Sequence, residues 1–132
     1  MFRSFCLLAI LSSFLSFSAF AEGISTHVLD LASGVGGKNV PVTLEMQNEK
    51  GVWSKVASGV TDDNGRIKSF GDSFKTKIGK YKLNFDMSKY SGAKASPFFP
   101  EISVVFNVAD EGLHYHVPVV VSPYGYSTYR GN

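Results

Sequence analysis

Apolar and polar residues alternate along most of this chain, and the period is two. Val42, Leu44 and Met46 fall on one side of the segment 40–47, with Thr43, Glu45 and Gln47 on the other. The same rhythm returns with Tyr81, Leu83 and Phe85 in 79–86, and with Ile102, Val104, Phe106 and Val108 in 101–108. Successive side chains of a strand point to opposite faces, so each segment predicts a half-buried strand. Segment 26–31 alternates too, with His27, Leu29 and Leu31 on one side and Thr26, Val28 and Asp30 on the other. Segment 52–60 is a further strand and carries the single Trp, Trp53. In the Val-rich segment 113–122, His114 and His116 share one face, and Tyr115, Val117, Val119 and Val121 take the other. A Pro/Gly turn and a short aromatic strand follow, in place of the simple, frayed terminus that is usual.

Turn signals separate these runs. Ser33 to Asn39 is Gly-rich, and 48–51 and 110–112 read as turns. The strongest signal is Asn64-Gly65, a dipeptide that tolerates positive φ at both positions and predicts a tight reversal with Arg66 fixed at its mouth. Segment 72–78 is ambiguous. The one predicted helix is 87–95, short and weakly patterned, ended by Pro97 and Pro100. Roughly six to eight strands with turns at sandwich-like spacing argue an all-β sandwich or barrel. No strand–helix–strand rhythm supports an α/β fold.

Residues 1–21 change the picture of where the domain starts. Arg3, an apolar stretch from Phe5 to Phe17 and the small-x-small triplet Ala19-Phe20-Ala21 make an export signal cleaved after Ala21. The apolar part is too short for a comfortable membrane span. The expected mature chain is therefore one domain, 22–132, periplasmic and free of the membrane once cleaved. The only cysteine, Cys6, lies in the leader, which excludes disulfides, thiol catalysis and thiolate metal sites from the mature domain. Without Arg3 the 13 Lys and Arg become 12 against 11 Asp and Glu, a net of +1. With no basic run, nucleic acid is not an expected partner. A small domain without staples gains burial by associating with copies of itself.

Three histidines are the candidates for chemistry. A lone His27 in a strand reads first as a half-buried structural residue, but imidazoles titrate where acid–base work is done. His114 and His116 on one face could shuttle a proton, line a polar edge or ligate zinc. Zinc would need a third ligand from His27 or a distant carboxylate, and nothing local supplies it. No metal and no cofactor is expected. Arg66 and Arg130, taken singly, read as solvated surface residues.

Two motifs alter that reading. Ser25-Thr-His-Val-Leu-Asp-Leu-Ala-Ser-Gly near the start, and His114-Tyr-His-Val-Pro followed by Ser122-Pro-Tyr-Gly-Tyr-Ser-Thr-Tyr-Arg-Gly at the end, resemble the two signatures of the transthyretin-like 5-hydroxyisourate hydrolases. The resemblance spans residues 24–132. It implies a transthyretin-like two-sheet β-sandwich that pairs through edge strands into a homotetramer, a dimer of dimers with sites in a channel between dimers. It also implies a small purine-derived substrate, whose six-membered ring is opened at the N1–C6 amide to give 2-oxo-4-hydroxy-4-carboxy-5-ureidoimidazoline. The catalytic set so implied is His27, Arg66 and His116. His27, Arg66, Tyr129, Arg130, Gly131 and Asn132 would hold substrate, with His114 a further contributor from the same run. Chemically the set is coherent: guanidinium forks grip carbonyls, and a near-neutral base activates water. The family usually ends in Ser where this chain has Asn132, and Asn cannot relay a proton as a hydroxyl can. Two other readings remain open: an exported carrier of a small aromatic ligand that uses the same channel without turnover, and a structural or adhesive sandwich with dispensable histidines.

Overall fold

The computed structural model describes residues 23–90 and 97–132. The expected export signal, residues 1–21, lies outside them. Nine strands are present among the described residues: β1 (Gly23–Asp30), β2 (Val35–Gly36), β3 (Pro41–Gln47), β4 (Trp53–Val60), β5 (Arg66–Ile67), β6 (Gly79–Asp86), β7 (Glu101–Val108), β8 (His114–Ser122) and β9 (Gly125–Thr128). They form two sheets. One has the order β2-β1-β8-β9, with β5 also paired to β1; the other runs β4-β3-β6-β7. All pairs are antiparallel except β1 and β8, which run parallel from Gly23↔His114 to Asp30↔Val121.

The core follows from the period-two alternation. Ile24, Thr26 and Val28 of β1 and Tyr115, Val117 and Val119 of β8 are buried on the inner face of the first sheet. Val42 and Leu44 of β3, Tyr81, Leu83 and Phe85 of β6, and Ile102, Val104 and Val108 of β7 are buried on the second. Interdigitated inner faces of two sheets make the single core of a β-sandwich, and the burial of these apolar side chains drives their association. Polar atoms within it are paired. The Thr26 hydroxyl donates to the Val117 carbonyl at 2.6 Å. The Tyr115 hydroxyl accepts from the amides of Ala109 and Asp110.

One local expectation is corrected. The described part of segment 87–95 is a turn, not a helix, and residues 91–96 lie outside the described residues. The Asp86 carboxylate accepts from the Ser88 amide at 3.0 Å, and the Tyr90 amide donates to the Met87 carbonyl at 3.1 Å. Met87 is drawn into the core and the Tyr90 hydroxyl donates to Asp30, contacts that a solvent-facing helix would forgo. At Asn64-Gly65 only Gly65 takes positive φ, at 77°. The reversal does not close a hairpin: it carries the chain from β4 in one sheet to β5 in the other. Asp62 shapes it, accepting from the amides of Asn64 and Arg66 at 2.9 Å each while its carbonyl accepts from Gly65 at 2.9 Å. With the side-chain carboxylate holding the turn, a mirror-image geometry at Asn64 is not needed.

Candidate active site

The outer face of the first sheet gathers the polar residues that its inner face excludes. On β1, Ser25 and His27 lie two apart and so point the same way. On β8, His114 and His116 do likewise, and the parallel register sets Ser25 beside His116 and His27 beside Pro118. On the far side of β1, β5 sets Arg66 opposite His27. Three segments distant in sequence thereby share one face.

Ser25 is the hinge of the cluster. Its Oγ lies 2.7 Å from His114 Nε2 and 2.7 Å from His116 Nδ1. The two rings stand nearly parallel, at 17°, with centroids 6.5 Å apart. His27 is held from the other side, its Nε2 3.0 Å from the carbonyl of Asn64. A carbonyl only accepts, so neutral His27 carries its proton on Nε2 and leaves Nδ1 bare. The turn that sets Arg66 thus also sets the tautomer of His27. Beside these groups opens a cleft of about 270 Å³ lined by Ser25, Thr26, Arg66, Ile67, Lys68, His114, His116 and Asn132.

Burial foremost, and next the Arg66 charge, hold His27 below the ordinary histidine value of 6.5; the Asn64 carbonyl and Asp62 act in the opposite direction. His116 is lowered by burial, then by Arg66, His114 and His27, with the Ser25 backbone opposing weakly. Desolvation and neighbouring cations both disfavour a charged imidazole. Both rings are therefore neutral at pH 7, the state needed to accept a proton or to donate a hydrogen bond without charge. Arg66 and Lys68 supply the cationic wall. Among the described residues, no three His, Cys, Asp or Glu side chains gather as a metal site.

The tail divides between two sides of the sheet. Asn132 lines the cleft. Gly131 lies against His116: its amide donates to the His116 carbonyl at 2.8 Å, and a Cβ there would fall 2.5 Å from the His116 ring. Arg130 turns away, its guanidinium 4.9 Å over the ring of Tyr115 on the opposite face, and Tyr129 is exposed. Within one chain, then, Arg66, His114, His116 and Asn132 line the cleft, with His27 and Gly131 at its border. Tyr129 and Arg130 border a separate recess with Val104 to Asn107 of β7. Sequence reasoning passed over Ser25 and Lys68. The same alternation that paired the histidines would have found both, because Ser25 precedes His27 by two and Lys68 follows Arg66 by two.

Known proteins resemble this chain in sequence and fold. A 5-hydroxyisourate hydrolase of Salmonella dublin is 40% identical over 110 residues, covering 83% of this chain and 80% of the relative. The structure of the Klebsiella pneumoniae 5-hydroxyisourate hydrolase matches with a TM-score of 0.69 at 31% identity, covering 83% of this chain and 98% of the other. Sea bream transthyretin, solved in complex with thyroxine, matches with a TM-score of 0.75 at 28% identity, covering 82% and 93%. The HIUase/Transthyretin family model spans residues 24–131, and the chain belongs to that family.

Proposed function

We propose that this protein hydrolyses 5-hydroxyisourate, opening the six-membered ring at its N1–C6 amide to give 2-oxo-4-hydroxy-4-carboxy-5-ureidoimidazoline. The observation that carries this reading is the convergence of His27, Arg66 and His116, from three distant segments, on one face beside a cleft. Likeness of fold does not choose between hydrolase and carrier, since the thyroxine-bound transthyretin superposes as well as the hydrolase does. The side chains choose. A carrier needs no pair of neutral imidazoles next to a guanidinium, and relatives as close as the Salmonella dublin protein are hydrolases.

Catalysis needs water activated, charge on the carbonyl oxygen stabilised and the leaving nitrogen protonated. The water oxygen bonds to C6, the C6–N1 bond breaks, and the proton lost by water ends on N1. His27 and His116 handle the water and the proton, as neutral imidazoles can near pH 7. Arg66 grips substrate carbonyls and stabilises the developing oxyanion. Gly131 and Asn132 close the border of the cleft beside His116. His114 reaches substrate or acts through its neighbours. No metal or cofactor enters the scheme. Tyr129 and Arg130, directed away from their own cleft, reach substrate across a subunit boundary in a dimer of dimers. Exposed Tyr124, Tyr126 and Phe98, at 82%, 43% and 65%, support such an association by offering an apolar surface to cover. The leader composition supports export to the periplasm with cleavage after Ala21.

Freshly generated 5-hydroxyisourate decays spontaneously, and its absorbance reports the rate. Purified protein is expected to accelerate that decay, and His116→Ala and Arg66→Met to lose the acceleration while folding persists. Decay no faster than in buffer would replace the hydrolase with the carrier.

A further inference from the structure

Two observations in the cleft concern hydrogens rather than heavy atoms. The Ser25 hydroxyl has one proton to donate, yet it touches two imidazole nitrogens, each at 2.7 Å. His114 Nδ1 is buried and has no hydrogen-bond partner among the described residues. Together they give the chain of hydrogen bonds a direction.

A proton on His114 Nδ1 would be a buried N–H without an acceptor, and orphaned N–H groups are rarer and costlier than an underused lone pair. His114 therefore carries its proton on Nε2 and donates to Ser25 Oγ. Ser25, having accepted, donates its own proton to His116 Nδ1. His116 is left with its proton on Nε2, the nitrogen with no partner among the described residues, on a ring that lines the cleft. The opposite direction would make His116 Nε2 a bare acceptor, at the expense of the orphaned N–H on His114.

We propose that His114 and Ser25 are positioning residues that lock His116 as a neutral hydrogen-bond donor, so that its Nε2–H meets the oxyanion and His27 is the base. This rests on the hydrolase reading and deepens it. A neutral imidazole is a poor proton donor but a sound oxyanion donor, because it offers an N–H without the strong acidity of an imidazolium. Water then gives its proton to His27 Nδ1, left bare by the bond to the Asn64 carbonyl, while its oxygen bonds to C6. The π pair of the C6=O bond moves to oxygen, which His116 Nε2–H and Arg66 stabilise. When that pair returns, the C6–N1 bond breaks and N1 takes the proton from His27. His27 returns to neutral, and His116 never changes its protonation. His114 touches no reacting atom in this scheme.

The test is made on the full mature chain with 15N-labelled histidine at pH 8. The 15N spectrum of the free protein is expected to show His116 protonated on Nε2 and bare on Nδ1. His114→Gln, whose amide N–H can still donate to Ser25, should keep that pattern and most of kcat. His114→Met and Ser25→Ala should relax it to a mixture of tautomers and lower kcat about tenfold to a hundredfold, less than the ~10²–10³ for outright loss of an oxyanion donor, with KM nearly unchanged. A wild-type His116 protonated on Nδ1 would overturn the proposal, even if every variant failed to fold. So would an identical pattern in wild type, His114→Met and Ser25→Ala, which would reduce the pair to packing. The expected tautomer in a protein that does not accelerate 5-hydroxyisourate decay would remove the hydrolase reading and the oxyanion role, and leave the tautomer lock standing.

Discussion

Gly131→Ala isolates the contribution of the tail to the site. Gly131 does not take positive φ, so its backbone would accept an alanine without strain. What it lacks is room: an added Cβ falls 2.5 Å from His116 Cδ2, 3.3 Å from His116 Cγ and 3.2 Å from Pro118 Cγ. Carbon atoms rest at about 3.5 Å or more, so the ring or the tail must yield by about 1 Å. The tail cannot withdraw freely, because the Gly131 amide is bonded to the His116 carbonyl at 2.8 Å, and giving up that bond costs about 1 kcal/mol. The softer response is for the imidazole to swing, which breaks its alignment with Ser25 and the cleft. A misplacement of about 1 Å at a reacting group is worth about a hundredfold in rate, or about 2.7 kcal/mol of barrier. Because Gly131 lies outside the core, the β-sheet circular dichroism and Tm should change little. Initial rates of 5-hydroxyisourate decay are therefore expected to fall about a hundredfold in a normally folded variant. A folded Gly131→Ala protein within about threefold of wild type would refute the claim that the tail sets the imidazole.

Two further outcomes follow from the same geometry. The folded-state values of His27 and His116 lie below the unfolded 6.5, so the folded protein binds fewer protons than the unfolded chain in the window between. Stability from this source is complete above pH 6.5 and lost as pH falls toward the folded values; chemical denaturation from pH 8 to 5 should show the decline, and kcat/KM should fall on the acid side with a midpoint below 6.5. A rate flat across pH 5 to 8 would exclude a histidine base. Gly65→Ala places a Cβ 2.6 Å from the Gly37 amide nitrogen at a residue with φ of 77°, and should cost more than about 1 kcal/mol. It should also lower kcat by displacing Asn64 and Arg66 together, as urea denaturation and the decay assay would show.

Much of the fold was legible because strands announce themselves locally. Alternation located β3, β6, β7 and β8, and put Tyr81, Leu83 and Phe85 on one face of their strand and Val117 and Val119 on one face of theirs, the faces that are buried. Over its described part the helix expected at 87–95 is a turn for a tertiary reason: Met87 is drawn into the core and Tyr90 is held by Asp30, neither of which a local pattern weighs. The turn at Asn64-Gly65 was legible, but not which sheets it joins, since a dipeptide does not tell whether the strands on either side pair with each other or lie in separate sheets. At the site, the shared face of His114 and His116 was readable from their spacing. That Arg130 stacks on Tyr115, away from the cleft, was not, because the direction of a residue beyond the last strand depends on what the chain meets there.

By itself, then, the sequence determined which side chains share a face along β3, β6, β7 and β8 and which residue types were on hand for chemistry, because a two-residue period is a property of neighbouring peptides. Only the tertiary structure decided that β1 runs parallel to β8 and antiparallel to β5, which brings Ser25, His116, His27 and Arg66 to one face. The protonation states followed from that meeting. An imidazole takes its tautomer from the atom its other nitrogen touches, and here those atoms belong to residues 37 to 91 positions away.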